Sequence, residues 1–188
     1  MDVNSNLSPQ RGRALGARSA RSYTHGMERR QFSIEVAAPA AVVWSTMFDE
    51  STYRQWTSVF TPDSYFEGTW QPGTEIRFLG SSPEGAGSGM TGVFGVITDH
   101  RPYEFVAIEY QGQIVNDADD ISSPEAQQLI GARESYTFVQ NDGSTTVTID
   151  VDTADNYDQI LSELWPKGLA KLKELAEAAV ARRQPDQP

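Results

Sequence analysis

The amino-acid sequence predicts an α+β fold, in which a curved antiparallel sheet of about six to seven strands surrounds one long C-terminal helix. Residues 156–183 carry apolar side chains at three- and four-residue steps, which is the spacing of one face of an amphipathic helix. The segments before them mostly alternate apolar and polar residues, as half-buried strands do. Antiparallel strands with one solvent-exposed face, followed by an amphipathic helix, are typical of a two-layer α+β arrangement.

The first predicted elements are one strand and two short helices. Arg30 to Val36 alternates apolar and polar side chains, and Ala38-Pro39 ends this strand at a place where proline suits the first turn of a helix. Ala40 to Phe48 then forms a short helix, and Thr52 to Trp56 forms a second one. We expect the two helices to make a corner at one end of the sheet.

Short strands separated by turn residues follow. They are predicted at Tyr65–Thr69, Glu75–Leu79, Met90–Thr98, Tyr103–Tyr110, Arg133–Gln140 and Thr145–Thr153. Asn141-Asp142-Gly143 predicts a tight hairpin between the last two strands. Gly112 to Gln128 is interpreted as an acidic loop with a helical turn at 124–128. Its aspartates lack the spacing of a calcium-binding loop.

Composition restricts the protein to one soluble domain. The chain has 188 residues, no cysteine and a formal net charge of −11. Four arginines against one acid give residues 1–26 a charge of +3, so the remaining residues carry −14. We expect a disordered tail at 1–26, one domain at 27–183 and a short tail at 184–188. Residues 1–26 could instead be an extension upstream of a true start at Met27, or a transit-like segment. The absence of cysteine fits a cytoplasmic location.

Charge and motifs exclude several classes of function. An acidic domain is unlike a nucleic-acid binder, which normally has a basic face, and it does not favour anionic membranes. The sequence contains no run of 18 apolar residues. It contains no phosphate-binding, dinucleotide-binding or metal-binding motif, so no cofactor and no metal are expected. Whether the chain forms a homodimer is left open.

The order of motifs resembles the helix-grip fold of the START-like, or SRPBCC, superfamily over roughly residues 30–182. The motifs that carry the resemblance are Ile34 to Pro39, Val42-Val43-Trp44, Tyr53-Arg54-Gln55-Trp56, Gly68 to Gly73, Glu134 to Phe138, Gly143 to Thr145, Trp165 to Leu169 and Leu172 to Leu175. Within the superfamily, the chain is most similar to proteins grouped with the C-terminal domain of the activator of heat-shock protein 90 ATPase.

The resemblance implies an apolar cavity between the sheet and the long helix, which the superfamily uses for lipids, sterols, polyketides and other apolar molecules. The leading hypothesis is therefore a non-catalytic binding protein whose partner is a small hydrophobic molecule. A chaperone cofactor that acts through its surface is a second hypothesis. A polyketide cyclase or aromatase is a third, with Glu134 as the acid or base and Tyr110 or Tyr136 assisting it.

The residues expected to contact the ligand are mostly large and apolar. They are Trp56, Phe60, Phe66, Phe78, Phe94, Ile108, Tyr110, Glu134, Tyr136, Phe138, Leu161 and Trp165. Most of the large aromatic residues are interpreted as ordinary core, whereas Trp56, Phe60 and Trp165 could instead form the rim of a ligand entrance. Pro166 should bend the long helix beside Trp165, either as a gate or only to fit the sheet.

Glu134 has several interpretations. The strand register that buries Tyr136 and Phe138 also points Glu134 toward the cavity, where a carboxylate would have a raised pKa. Alternatively, Glu134 lies near solvent at the end of the sheet, or it pairs with Arg77 or Arg133. Arg133 has a further candidate partner in Glu109 on the outer face.

Overall fold

A computed structural model describes residues 27–82 and 89–183. The expected tails at 1–26 and 184–188 lie outside the described residues. The elements in chain order are β1 (Met27–Val36), α1 (Ala40–Phe48), α2 (Glu50–Trp56), β2 (Tyr65–Gly68), β3 (Glu75–Ser81), β4 (Met90–Arg101), β5 (Phe105–Val115), β6 (Ala118–Asp120), α3 (Pro124–Leu129), β7 (Arg133–Gln140), β8 (Thr145–Ala154) and α4 (Asp155–Arg183).

The strands form one antiparallel sheet with the order β1-β8-β7-β5-β4-β3-β2, and β6 pairs with β5 beside this path. The predicted α+β helix-grip architecture is thus confirmed. The hairpin between β7 and β8 is also as predicted, with Gly143 at a φ of +77° in its turn. In β8, every second residue from Thr145 to Thr153 is buried, which matches the alternation in the sequence.

The acidic segment Gly112 to Gln128 was predicted as a loop with a helical turn at 124–128; the helical turn is present as α3, but the first half of the segment is a β-hairpin. β5 continues to Val115, and a two-residue turn at Asn116-Asp117 leads into β6. Both turn residues have positive φ angles, 51° and 65°, as a tight hairpin of this kind requires. Asn and Asp tolerate this conformation better than other non-glycine residues, so the turn signal was present in the sequence.

A β-bulge in β5 decides which side chains face inward near the centre of the sheet. Gly112 pairs with Phe94 and Tyr110 pairs with Gly95, which leaves Gln111 as an extra residue. Tyr110 and the residue three positions later, Gln113, therefore both face α4. Phe94 lies on the outer face, in a small second cluster with Leu79 and Ile114.

The main core lies between the inner face of the sheet and α4. The helix buries Trp165, Leu169, Leu172 and Ala176, as its apolar spacing predicts. It continues through the exposed Pro166 without ending. In the part of the chain that the structure describes, no helix is both long and apolar enough to cross a bilayer.

Candidate functional site

The core is interrupted by a cavity of about 410 Å³ between the sheet and the helices. Its floor is formed by the inner faces of β3, β4, β5, β7 and β8, and α4 and α2 cover it. The aromatic residues that line it are Tyr53, Trp56, Phe60, Phe78, Tyr110, Tyr136, Tyr157 and Trp165. The volume and the mostly apolar wall lie within the range that is typical of small-molecule sites in proteins.

The cavity meets the solvent between α3 and the first turns of α4. The exposed members of its lining are Glu125 and Gln128 on α3 and Tyr157 on α4. Trp56 and Trp165 were predicted as candidates for the rim, but their exposed fractions are only 2% and 4%. Both are therefore buried wall residues, and the mouth lies about two turns of α4 before Trp165.

One buried polar cluster faces this apolar space. Tyr110 donates a hydrogen bond of 2.9 Å to Oε2 of Glu134, and Tyr136 donates one to Oε1. The bulge in β5 directs Tyr110 inward, and the strand alternation of β7 does the same for Glu134 and Tyr136. Glu134 is 7% exposed, so the interpretation that places it near solvent is wrong. Its carboxylate is bound by two neutral phenol groups.

Burial changes the acidity of the whole cluster. Loss of hydration raises the pKa of Glu134, and the hydrogen bonds from Tyr136 and Tyr110 oppose this rise because they stabilise the ionised form. Burial and the nearby Glu134 charge raise the pKa of Tyr110, Tyr136 and Tyr53 well above their usual range. The phenol groups are therefore hydrogen-bond donors at neutral pH. Within residues 27–82 and 89–183, no three His, Asp or Glu side chains are grouped as metal ligands.

Arg77 and Arg133, the two candidate partners of Glu134, bind other acids. Arg133 forms a salt bridge of 3.1 Å with Glu109 on the outer face, as the alternative interpretation predicted. Arg77 pairs with Glu75 and Asp119, and its guanidinium lies 5.2 Å from the ring centre of Phe94. Both guanidinium groups thus lie on the outer face, away from the cavity.

The structure places eight of the twelve predicted ligand contacts in the cavity wall. They are Trp56, Phe60, Phe78, Tyr110, Glu134, Tyr136, Leu161 and Trp165. The cavity lining does not include the other four. Ile108 is fully buried within the core. Phe138 packs on Trp44 and Phe48, and Phe66 packs on Tyr53 and Trp70. Phe94 lies on the outer face because its position in β4 has the opposite parity to Val93, which lines the cavity.

Several wall residues were not predicted from the sequence. Tyr53 and Trp56 are three residues apart in a helix and share its buried face, so this spacing was an available signal for Tyr53. Gln113 faces the cavity only because of the β5 bulge, which the alternation of residues does not indicate. Ser64 follows the second helix and is a buried residue of the cavity wall. Its neighbourhood depends on tertiary packing alone.

Replacing Glu134 with glutamine is expected to raise the free energy of unfolding near neutral pH by on the order of 1 kcal/mol. Glutamine keeps the shape, and its oxygen still accepts a phenol hydrogen bond, but the cost of a buried charge is removed. The folded protein holds the Glu134 proton more tightly than the unfolded chain, because the pKa is raised from 4.5. Wild-type stability therefore falls as the pH rises from that value through the raised pKa.

Urea denaturation of both proteins below about pH 4 and near pH 7 measures this effect. The stability difference should be present at neutral pH and should vanish under acidic conditions. The control is Glu109→Gln, which removes an exposed carboxylate from the strand beside Glu134 and should show no comparable gain. A glutamine variant at 134 that is less stable than wild type at neutral pH would contradict the expected sign.

The sequence matches one described protein family over most of its length. The family described as "Activator of Hsp90 ATPase homolog 1-like protein" matches residues 37–177. No curated protein matches the chain significantly. The matched range includes α1, α2, every strand from β2 to β8 and most of α4, so it contains the Glu134 cluster and every cavity-lining residue except Met27.

Solved structures with the same fold are distant in sequence. Protein NE0264 from Nitrosomonas europaea is 14% identical with a TM-score of 0.61, over 80% of this chain and 95% of that one. The Aha1 dimer from Colwellia psychrerythraea is 18% identical with a TM-score of 0.57, over 80% and 97%. DynU16, described as a putative protein of the dynemicin biosynthetic locus, is 14% identical with a TM-score of 0.55, over 80% and 48%. The family match covers three quarters of the chain, and the chain therefore belongs to the family of activator of Hsp90 ATPase homolog 1-like proteins.

Proposed function

We propose that this protein binds a small, mostly apolar molecule in the cavity between the sheet and α4. The observation that carries this proposal is a cavity of about 410 Å³ with aromatic walls and one buried polar cluster. Apolar pockets with a few placed polar groups are the usual form of small-molecule sites. The apolar part of the ligand would lie against the rings, and its polar group would lie near Glu134, Tyr110 and Tyr136.

Native mass spectrometry of the protein purified from cells tests the proposal. A retained ligand should add the mass of one small molecule, and mild denaturation should release it. Titration with N-phenyl-1-naphthylamine, a neutral apolar fluorescent probe, gives a second test, because its emission should rise on entering the cavity. Protein that carries no ligand and does not bind the probe would overturn the proposal.

A substitution that fills the cavity should weaken probe binding. Val93 lines the cavity from β4, and Val93→Phe places a ring in the ligand space. We expect the Kd for N-phenyl-1-naphthylamine to rise by about tenfold or more. Val139→Phe is the matched control, because Val139 is also on a strand but is 51% exposed and lies outside this cavity. Equal affinities of the two variants would argue against this cavity as the binding place.

Proton transfer is the second candidate function, and the buried cluster is the observation that favours it. A carboxyl group whose pKa is raised by burial can act as a general acid or base near neutral pH. An enzyme of the polyketide cyclase or aromatase type would remove a proton next to a ketone and return it to oxygen. Exchange of the α-protons of an aryl ketone in D₂O tests this, and equal exchange rates for wild type and Glu134→Gln would eliminate Glu134 as the base.

Two further predictions concern partners. Stimulation of a chaperone ATPase, which the resemblance implies, stays a prediction that an ATPase assay would check.

The support for a homodimer is that the Colwellia psychrerythraea structure is of a dimer. Light scattering coupled to size-exclusion chromatography would decide between one and two copies of this chain.

A further inference from the structure

The charged residues of the cavity wall are all acidic. Glu125, Glu134 and Asp152 line the cavity, and no Lys, Arg or His of the described residues does so. Asp152 is balanced by Arg29 at 3.1 Å and accepts a hydrogen bond from the backbone N–H of Arg133 at 3.1 Å. Glu125 is exposed on α3. Glu134 is thus the deeply buried acid of the three.

Glu134 has hydrogen-bond donors but no cation beside it among the described residues. Its two donors, Tyr110 and Tyr136, are neutral phenols. Arg77 and Arg133 are on neighbouring strands, yet both pair with acids on the outer face. A buried carboxylate is normally paired with a positive charge, because burial without one costs much of its hydration energy. When Glu134 is ionised, the cavity is the side from which a compensating positive charge can approach, because Arg77 and Arg133 are paired on the outer face.

The wall around Glu134 is mostly aromatic. The distance between ring centres is 6.3 Å for Tyr136 and Trp165 and 6.5 Å for Phe78 and Tyr110. The faces of aromatic rings attract cations through their quadrupoles, and more strongly where water is excluded. An anionic ligand would find no cation among the described residues of this wall and would be repelled by an ionised Glu134.

We propose that the ligand of this cavity is an organic cation, an amine with an apolar body, whose ammonium group binds the Glu134 carboxylate between Tyr110 and Tyr136. This inference rests on the proposed function and names its ligand class. The ammonium group supplies the charge that the buried carboxylate lacks and donates charge-assisted hydrogen bonds to it. The apolar body occupies the aromatic part of the cavity toward Trp56 and Phe60. Carboxylic acids such as fatty acids are excluded by the same charge.

Three ligands with one apolar body and different polar groups test the inference. They are 2-(1-naphthyl)ethylamine, 2-(1-naphthyl)ethanol and 1-naphthylacetate, which are cationic, neutral and anionic near neutral pH. Titration calorimetry should rank them in that order, with the amine binding at least about tenfold more tightly than the alcohol. Equal affinities, tighter binding of the acid, or failure of all three to bind would overturn the inference.

The Glu134→Gln variant shows whether the preference comes from this carboxylate. It should reduce amine affinity by about tenfold or more and leave the alcohol nearly unchanged, whereas the matched control Glu109→Gln should leave the order intact. Circular dichroism checks that both variants fold, and the wild-type ranking decides by itself if the 134 variant does not. Native mass spectrometry separates the two proposals. A retained carboxylic acid would support the proposal that the cavity binds a small molecule, and it would overturn only the inference that this molecule is a cation.

Discussion

Replacing Trp56 with alanine is expected to lower the free energy of unfolding by about 3–5 kcal/mol. The side chain is 2% exposed and packs on Tyr53, Phe60 and Trp165 at ring-centre distances of 5.4, 6.3 and 6.2 Å. Alanine would remove all of these contacts and join the empty space to the existing cavity. The neighbouring rings belong to different elements, so they cannot all move to refill it.

Trp56 also holds the corner between α1 and α2. Its indole N–H donates a hydrogen bond of 3.0 Å to the carbonyl oxygen of Met47, in the last turn of α1. The last carbonyls of a helix have no partner within the helix, so this bond satisfies one of them. Trp56→Phe retains most of the packing and loses only the donor. It should therefore cost about 1–2 kcal/mol, much less than the alanine variant.

Urea denaturation followed by far-UV circular dichroism gives both values. A loss below about 1 kcal/mol for Trp56→Ala would show that the wall around the cavity relaxes freely, and that Trp56 does not anchor the corner. Similar losses for the phenylalanine and alanine variants would instead assign the effect to the hydrogen bond with Met47.

The elements that could be predicted from the sequence are those with a local signal. The apolar spacing before Arg183 predicts α4, and Asn141-Asp142-Gly143 predicts the last hairpin. Both signals depend only on neighbouring residues and the period of the element. For the same reason the inward direction of Glu134 was predicted by its parity with Tyr136 and Phe138.

What could not be predicted depends on pairing between distant segments. The bulge at Gln111 changes the parity of β5, so that Gln113 turns inward and Ile114 turns outward. Simple alternation from Tyr110 would have given the reverse. The phenol partner of Glu134 on β5 likewise depends on strand register, which brings together residues 24 positions apart in the chain. The volume of the cavity depends on sheet curvature, for which single residues give only indirect signals.

Gly92 allows β3 and β4 to approach each other closely, and Gly92→Ala is expected to cost about 3 kcal/mol or more. A Cβ atom at this position would overlap the carbonyl oxygen of Phe78 and would lie 2.9 Å from its carbonyl carbon. Both are backbone atoms of the paired strand β3, so no side-chain rotation can relieve the overlap. The strands would have to separate locally. Because they carry Phe78 and Val93, this separation would also displace part of the cavity floor.

Gly143→Ala separates this effect from the general cost of replacing glycine. Gly143 has a positive φ of 77° and no atom within 4 Å of a built Cβ, so its alanine variant should lose only about 1 kcal/mol through backbone strain. Because β4 would be displaced, Gly92→Ala should also weaken binding of N-phenyl-1-naphthylamine, whereas Gly143→Ala should not. Urea denaturation and probe titration measure the two effects on the same samples. A Gly92→Ala variant as stable as Gly143→Ala would show that β3 and β4 can separate without cost. The close approach of the two strands at Gly92 would then not be needed to keep the sheet in the shape that leaves room for the cavity.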